Sequence, residues 1–427
     1  MVIITLVMTI LRFLLNEKGR VNPDSIRYMR FAHVLPEVDN TITPLGYPVA
    51  IRFFTFFGTD EFWASKIVGI VSFLFIVFFA WKNNFYFRES VLACSIFSFV
   101  SIFSFTMSEG LMLPFVFLFL YVVHQILTLK ISGLKAVFYL SLSLIALYNI
   151  RYSALFFIGG TGLFGLLSFR KSYFKTLIVS AVIGFAFIIG YKFLFIDRFN
   201  SNYVNEFLEI GLHSTSKLLI EFVQGMATSF NPFIHIADPN GGKINFAIYG
   251  IGAANLILMA YLFISKKLSD IDIFYLFTGG FGIVCSFFIQ YFYSITPLDY
   301  RLLAPFTFPV WLVYFKKMSE AFGLKVYLVG FASLCSGFMF TWLSKGDYLE
   351  NRKQITVFLE EENLDQKKIL YYVKDIEDLD EGQIGELVST VNADIDFTFR
   401  AEDTLKKTTL TQHKVLEKIK LRKNKFQ

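Results

Sequence analysis

The chain has 427 residues, of which 55% are hydrophobic and 19% aromatic, with 54 Phe and a mean hydropathy of +0.55. A soluble domain this apolar would have nowhere to put its side chains, so the composition excludes a water-soluble protein and points to a polytopic helical membrane protein. The formal net charge of +6 reads as the basic bias of short membrane loops, not as a nucleic-acid surface.

A span needs about 20 apolar residues. On that rule the sequence predicts about eleven, over 2–15, 62–81, 90–107, 110–129, 136–150, 152–169, 175–196, 245–264, 271–293, 302–315 and 324–343. The first is read as a true span, because it lacks the basic leader and small-residue cleavage site of a removed signal. With the N-terminus inside, the inner links carry Lys82 and Arg88, Lys130 and Lys135, Arg170, Lys171 and Lys175, Lys266 and Lys267, and Lys316, Lys317 and Lys325. Basic short loops are retained in the cytoplasm, which selects this orientation. Asp24, Glu109, Arg151, Asp197, Asp299 and Arg301 then fall on the outer side.

The first outer link, 16–61, is structured. Asn22-Pro23-Asp24-Ser25 is a helix start, and Pro36 ends that helix. Thr43-Pro44-Leu45-Gly46-Tyr47-Pro48 is turn-rich, and Val49 to Phe57 is apolar but too short to span, so it reads as an interfacial helix. In the second long outer link, 197–244, residues 203–230 are amphipathic, with Phe207, Ile210, Leu218, Leu219 and Phe222 on one face. Asp238 to Gly242 reads as a turn. Beyond Lys345 the composition becomes polar. A strand at Lys368 to Val373, a helix at Ile376 to Val391 and a strand at Ala393 to Phe399 make a small α/β appendage. The domains are therefore a membrane part, 1–343, and a soluble part, 344–427. The span count places the soluble part outside, while its basic end, Lys414 to Lys425, suits the inner leaflet equally. Cys94, Cys285 and Cys335 lie in apolar stretches with no ligand spacing and no disulfide framework.

Several residues could carry chemistry. Asp24 either accepts a proton from an acceptor hydroxyl or caps its helix, with Tyr28 one turn later. Glu109 lies in a tight turn, where an unpaired dry carboxylate is costly; the local alternative is a helix start, with Ser108 as cap. Arg151 and Arg301 oppose the retention bias. A phosphate head group would explain them, as would snorkelling or, for Arg301, pairing with Asp299 or Glu109. Lys192 is placed to face a phosphate, Asp197-Arg198 is read as interface chemistry, and His213 and His235 as neither ligands nor catalysts. There is no glycine-rich phosphate loop, zinc spacing or nucleophile elbow, so a cytosolic nucleotide donor is disfavoured.

Asp24 with Tyr28 and Ala32, then Pro44-Leu45-Gly46-Tyr47-Pro48 leading to the second span, resembles the C-type fold glycosyltransferases. The likeness is to the bacterial branch of protein mannosyltransferases and lipid A aminoarabinose transferases. Ser108-Glu109 matches that superfamily's second acidic motif, and Arg301 with Pro305 its late arginine-proline segment. Many members carry two acids in the first loop, whereas Ser25 follows Asp24 here, and no aspartate-rich metal motif is present. No metal ligand is assigned, and a divalent metal stays open as a cofactor. The resemblance implies a transferase in the bacterial inner membrane that moves a sugar from a polyprenyl-phosphate donor to a lipid, glycan or protein acceptor at the outer face. Asp24 would be the base, Glu109 would orient donor or acceptor, and Arg151, Arg301 or Lys192 would hold the lipid phosphate. Tyr28 and Asp299 would line the substrate site. An O-antigen or exopolysaccharide polymerase and a multi-pass transporter are the competing readings. Key arginines of such polymerases usually lie in later loops, and transporters carry ionisable groups at the midplane.

Overall fold

A computed structural model describes residues 1–16, 19–41, 43–199, 214–236, 242–293, 298–375 and 378–420. The protein is a bundle of apolar helices capped at one end by the first long link and by the C-terminal residues. Helices occupy each predicted span: Val2–Leu14, Glu61–Lys82, Phe87–Ser95 with Phe97–Phe103, Ser108–Leu127, Gly133–Ile150, Leu155–Leu167, Phe174–Tyr191, Lys243–Ser265, Asp270–Phe292, Tyr300–Phe322 and Tyr327–Leu343. This is an all-α polytopic membrane fold with a small sheet appended. Seven helical stretches, the last running from Tyr300 to Leu343, are long and apolar enough to cross a bilayer, and Val2–Leu14 and Tyr152–Leu167 are shorter apolar helices.

The basic links that the sequence assigns to one side do meet at one end. There Lys171 Nζ lies 2.8 Å from Asp270, Lys316 Nζ 2.7 Å from Asp272, and Lys317 Nζ donates to the Lys267 carbonyl. This end is less purely basic than expected. Asp272 is fully buried between Lys316 and Lys317, and with Ser269 it forms the capping box of its own helix. A carboxylate so deep needs both cations, which also explains why the expected 302–315 span runs on to Phe322.

The predicted third span is broken. Ile96 is extended and separates Phe87–Ser95 from Phe97–Phe103. The freed Phe97 N–H donates to Ser333 Oγ at 2.8 Å, and Ser333 in turn donates to the Pro232 carbonyl at 2.5 Å. Ser336 donates to the Phe233 carbonyl. Irregular backbone survives at membrane depth only where protein satisfies it, and these two serines do so.

In the second long link, helix Thr215–Ser229 is largely exposed over its first half and buried at Gly225, Ala227, Thr228 and Ser229, and the chain then turns back through Phe230 to Ile236. Asn255 donates to the Phe230 carbonyl, and at 1.5 Å rise per residue Asn255 lies about 18 Å below the level of Lys243. A Cβ on Gly252 would stand 2.0 Å from the Ala227 carbonyl oxygen, so the hairpin packs backbone to backbone. Phe207, Ile210, His213 and the turn from Asp238 to Gly241 lie outside the described residues.

In the first link, helix Pro23–Val34 appears as predicted, while the helix expected at Val49 to Phe57 runs over Gly46–Thr55 and takes in Gly46-Tyr47-Pro48, which the sequence reads as turn. After Lys345, helix Tyr348–Glu361 precedes strands β1 (Ile369–Tyr372), β2 (Ile395–Thr398) and β3 (Thr409–Thr411), ordered β2-β1-β3 and all parallel. The sequence reading had β1, β2 and the helix between them, but not β3, helix Tyr348–Glu361 or helix Gln412–Lys418. The core of this unit is continuous with the first link: Val21, Ile26, Met29 and Phe62 pack with Ile355, Leu359, Ile384 and Val388. Arg30 donates to the Ile395 carbonyl at 2.9 Å and pairs with Asp39 and Asp396, and Arg352 pairs with Asp60. Gly19, at φ +57°, lies beneath the Tyr348 ring, where a side chain would collide. The C-terminal residues thus sit at the same end as the first link.

Candidate active site

Ser108 and Glu109 open helix Ser108–Leu127 and are both fully buried. Arg151 follows the last residue of helix Gly133–Ile150, which packs beside them. Its Nη1 reaches Glu109 Oε1 at 3.1 Å and donates to Ser108 Oγ at 3.0 Å. Arg301, in the first turn of helix Tyr300–Phe322, brings Nε to 3.6 Å from the same Glu109 oxygen. Both arginine side chains are 17% exposed. Neither Glu109 oxygen has a hydrogen bond of good geometry, so the carboxylate is balanced by charge more than by hydrogen bonds.

Ser108 links this cluster to the first link. Its Oγ lies 3.0 Å from the Tyr28 hydroxyl. The Tyr28 ring packs edge-on against Tyr47 with centroids 5.0 Å apart, and both are buried with Ala32, Ile51 and Met107. Burial pushes the Tyr28 phenol above its ordinary value, with Arg151 opposing, so Tyr28 stays neutral and serves as a hydrogen-bonding strut.

Asp24 lies on the same helix one turn before Tyr28. It is not the cap. Asn22 caps the helix, with Ser25 completing a capping box. Asp24 is 45% exposed, 3.6 Å from Arg27, and within electrostatic reach of Tyr28 and Arg301. Its carboxylate therefore stands at the rim of the cluster.

Two predicted binding residues have other partners. Lys192 is not brought to the cluster. It lies in a π-helical stretch, Lys192–Ile196, with Nζ 2.6 Å from Asp197. Asp299 caps helix Tyr300–Phe322, its Oδ1 accepting from the Arg301 and Leu302 amides at 3.0 Å each. Arg301 accordingly pairs through its guanidinium with Glu109.

Sequence reasoning missed two cations. Arg20 has its guanidinium carbon 4.4 Å from the Phe105 ring centroid, and Arg301 approaches the same ring at 5.7 Å. Arg20 Nη2 donates to the Ser101 carbonyl and the Tyr300 hydroxyl, each at 3.3 Å. Lys66 is buried and donates to the Arg20 carbonyl, the Ser104 carbonyl and Thr106 Oγ1. A lysine one turn inside an apolar span was the available signal, since such a group persists only when paired or fully hydrogen-bonded. Among the described residues, Arg20 and Lys66 have no carboxylate within ion-pair distance, and no group of His, Cys, Asp and Glu could hold a metal ion. The centre is thus two arginines, Arg151 and Arg301, paired with one buried carboxylate, with Arg20 sharing the Phe105 ring with Arg301.

Two solved structures resemble the chain along nearly its whole length. One is the ArnT of Cupriavidus metallidurans in the apo state, 13% identical, covering 94% of this chain and 86% of that chain, with a TM-score of 0.42. The other is the same protein bound to undecaprenyl phosphate, 12% identical, covering 97% of this chain and 90% of that chain, with a TM-score of 0.41. ArnT is an aminoarabinose transferase. The likeness is one of overall arrangement. No protein-family model and no curated protein matches the chain.

Proposed function

We propose that the protein is an integral-membrane glycosyltransferase that moves a sugar from a polyprenyl-phosphate donor to a lipid, glycan or protein acceptor at the outer face of a bacterial inner membrane. The observation that carries this reading is the convergence of Arg151 and Arg301 on the buried Glu109, with Asp24 at the rim. The acceptor hydroxyl gives its proton to the Asp24 carboxylate while its oxygen bonds to the anomeric carbon. The bond from that carbon to the phosphate oxygen breaks, and the carrier phosphate leaves with one more negative charge. Arg151 and Arg301 receive that charge, where fixed guanidinium groups act most strongly. Glu109 holds both arginines in place and limits their hold on the product phosphate.

The test is Asp24→Asn in purified protein supplied with carrier-linked sugars. The variant should enter the membrane normally and bind undecaprenyl phosphate as wild type does, while transfer falls by about a hundredfold or more. Full transfer by this variant ends the assignment of Asp24 as base.

A further inference from the structure

Helix Thr215–Ser229, its return through His235, and the start of helix Tyr300–Phe322 line an open cleft of about 480 Å³, within the range of small-molecule sites. We propose that this cavity receives the uncharged, hydroxyl-rich sugar ring of a substrate, with His235 reading one of its hydroxyls. The inference rests on the glycosyltransferase reading and assigns that reaction a second subsite.

The helix offers the cavity a stripe at i, i+3, i+4 and i+7: Glu221, Gln224, Gly225 and Thr228. The side chains of Glu221, Gln224 and Thr228 can each hydrogen-bond a hydroxyl. A Cβ on Gly225 would stand 2.8 Å from the Leu298 carbonyl oxygen, so glycine lets the helix approach the opposite wall. His235 is buried between the Phe97 and Tyr300 rings, at centroid distances of 4.7 and 4.0 Å. Neither of its ring nitrogens has a hydrogen-bond partner. A buried imidazole without partners is costly, and a ligand hydroxyl would satisfy it. Tyr300 receives a hydrogen bond from Arg20, so its own hydroxyl proton is free to donate into the cavity.

Charge decides the ligand class. Among the described residues the lining includes two carboxylates, Glu221 and Asp299, and no lysine or arginine of its own; Lys217 and Arg20 stand behind Glu221 and Tyr300, so the lining favours an uncharged ligand over an anion. Both carboxylates are already engaged: Glu221 by Gln290 at 2.6 Å and by Lys217 at 3.9 Å, Asp299 by the two amides it caps. They remain hydrogen-bond acceptors without an unmet demand for a cation. Asp299 and Tyr300 immediately precede Arg301 in the chain, so the cavity adjoins the arginine centre. A ring in the cavity and a phosphate at the arginines belong to one extended substrate.

The experiment measures binding to the full chain in detergent micelles. The probes are undecaprenyl phosphate, a panel of undecaprenyl-phosphate-linked neutral hexoses and pentoses, the matching methyl glycosides, and methyl glucuronide. At least one sugar-linked carrier should bind wild type about tenfold tighter than the bare carrier. His235→Phe, which keeps the ring packing, and Gln224→Leu, on an exposed position, should each remove that advantage and leave bare-carrier affinity unchanged. The methyl glycoside of the preferred sugar should raise the thermal midpoint of wild type but not of His235→Phe, and methyl glucuronide should not raise it. A wild-type protein that binds bare carrier with no gain from any sugar overturns the cavity assignment and spares the carrier reading. So does a loss of bare-carrier binding in either variant, or a midpoint raised by the glucuronide. If no carrier binds but a methyl glycoside does, through His235, the cavity assignment stands and the carrier reading fails. If nothing binds, both fail.

Discussion

Replacing Glu109 with glutamine removes one charge from a fully buried site and changes little else in shape. Arg151 and Arg301 stand 3.1 and 3.6 Å from its carboxylate. At an effective dielectric of about 20, each attraction has a gross value of about 5 kcal/mol. Most of this offsets the desolvation of the three groups, and breaking a buried pair by removing one partner costs about 3–5 kcal/mol net. Glu109→Gln should therefore lower the unfolding free energy of the detergent-solubilised protein by about that amount, read from denaturant titration. The two arginines, deprived of their counter-charge, should bind undecaprenyl phosphate at least as tightly as before, while turnover drops because product phosphate is retained and the guanidinium groups lose their fixed positions. Stability and carrier affinity thus move in opposite directions, which general misfolding would not produce. A variant with wild-type stability, or one whose carrier affinity falls in step with stability, would refute the reasoning.

Other substitutions test separate parts of the account. Ser108→Ala removes the hydroxyl between Tyr28 and Arg151, and transfer should fall by about tenfold, with a loss of about 1 kcal/mol in stability; unchanged turnover would show that the joint is idle. Lys66→Met removes the donor to three buried acceptors, of which the Arg20 carbonyl keeps the Thr106 amide and Thr106 Oγ1 keeps Ser65, and should cost about 1–2 kcal/mol by the same titration. Gly252→Leu would drive a side chain into the Ala227 carbonyl, so the yield of monodisperse protein should collapse, whereas normal yield would argue against the buried hairpin. His33 Nδ1 lies 2.8 Å from Glu61, and that hydrogen bond raises its pKa above 6.5. Its contribution is therefore fully present below the unfolded value and is lost as pH rises through the raised one. His33→Gln should lower the thermal midpoint in mildly acidic buffer and leave it unchanged in alkaline buffer.

Much of the fold was legible because the bilayer forces apolar stretches of near-fixed length, and the lysines of the short links give the sides. That logic also sorted Glu109, Arg151 and Arg301 to one end, where they meet. It carries no information on position around the bundle, so Lys192, equally well placed in depth, turns out to pair with Asp197. The hairpin at Thr215 to Ile236 escaped because fifteen helical residues are too few to span and look like a surface amphipath. Its signals were the small residues Gly225, Ala227 and Ser229 and the Asn231-Pro232 turn. The break at Ile96 has no local signature, since the partner that satisfies it, Ser333, is more than two hundred residues away. Asp24 was assigned alternative roles, and the capping role fell to Asn22, whose reciprocal bond with Ser25 completes the motif.

The most direct measurement is undecaprenyl phosphate affinity of the purified chain with Arg151 and Arg301 both changed to glutamine, set against wild type across a salt series. Loss of two charge-assisted contacts should weaken binding by roughly a hundredfold or more and flatten its dependence on ionic strength. Equal affinity and an equal salt slope would contradict the assignment of this arginine pair as the seat of the carrier phosphate.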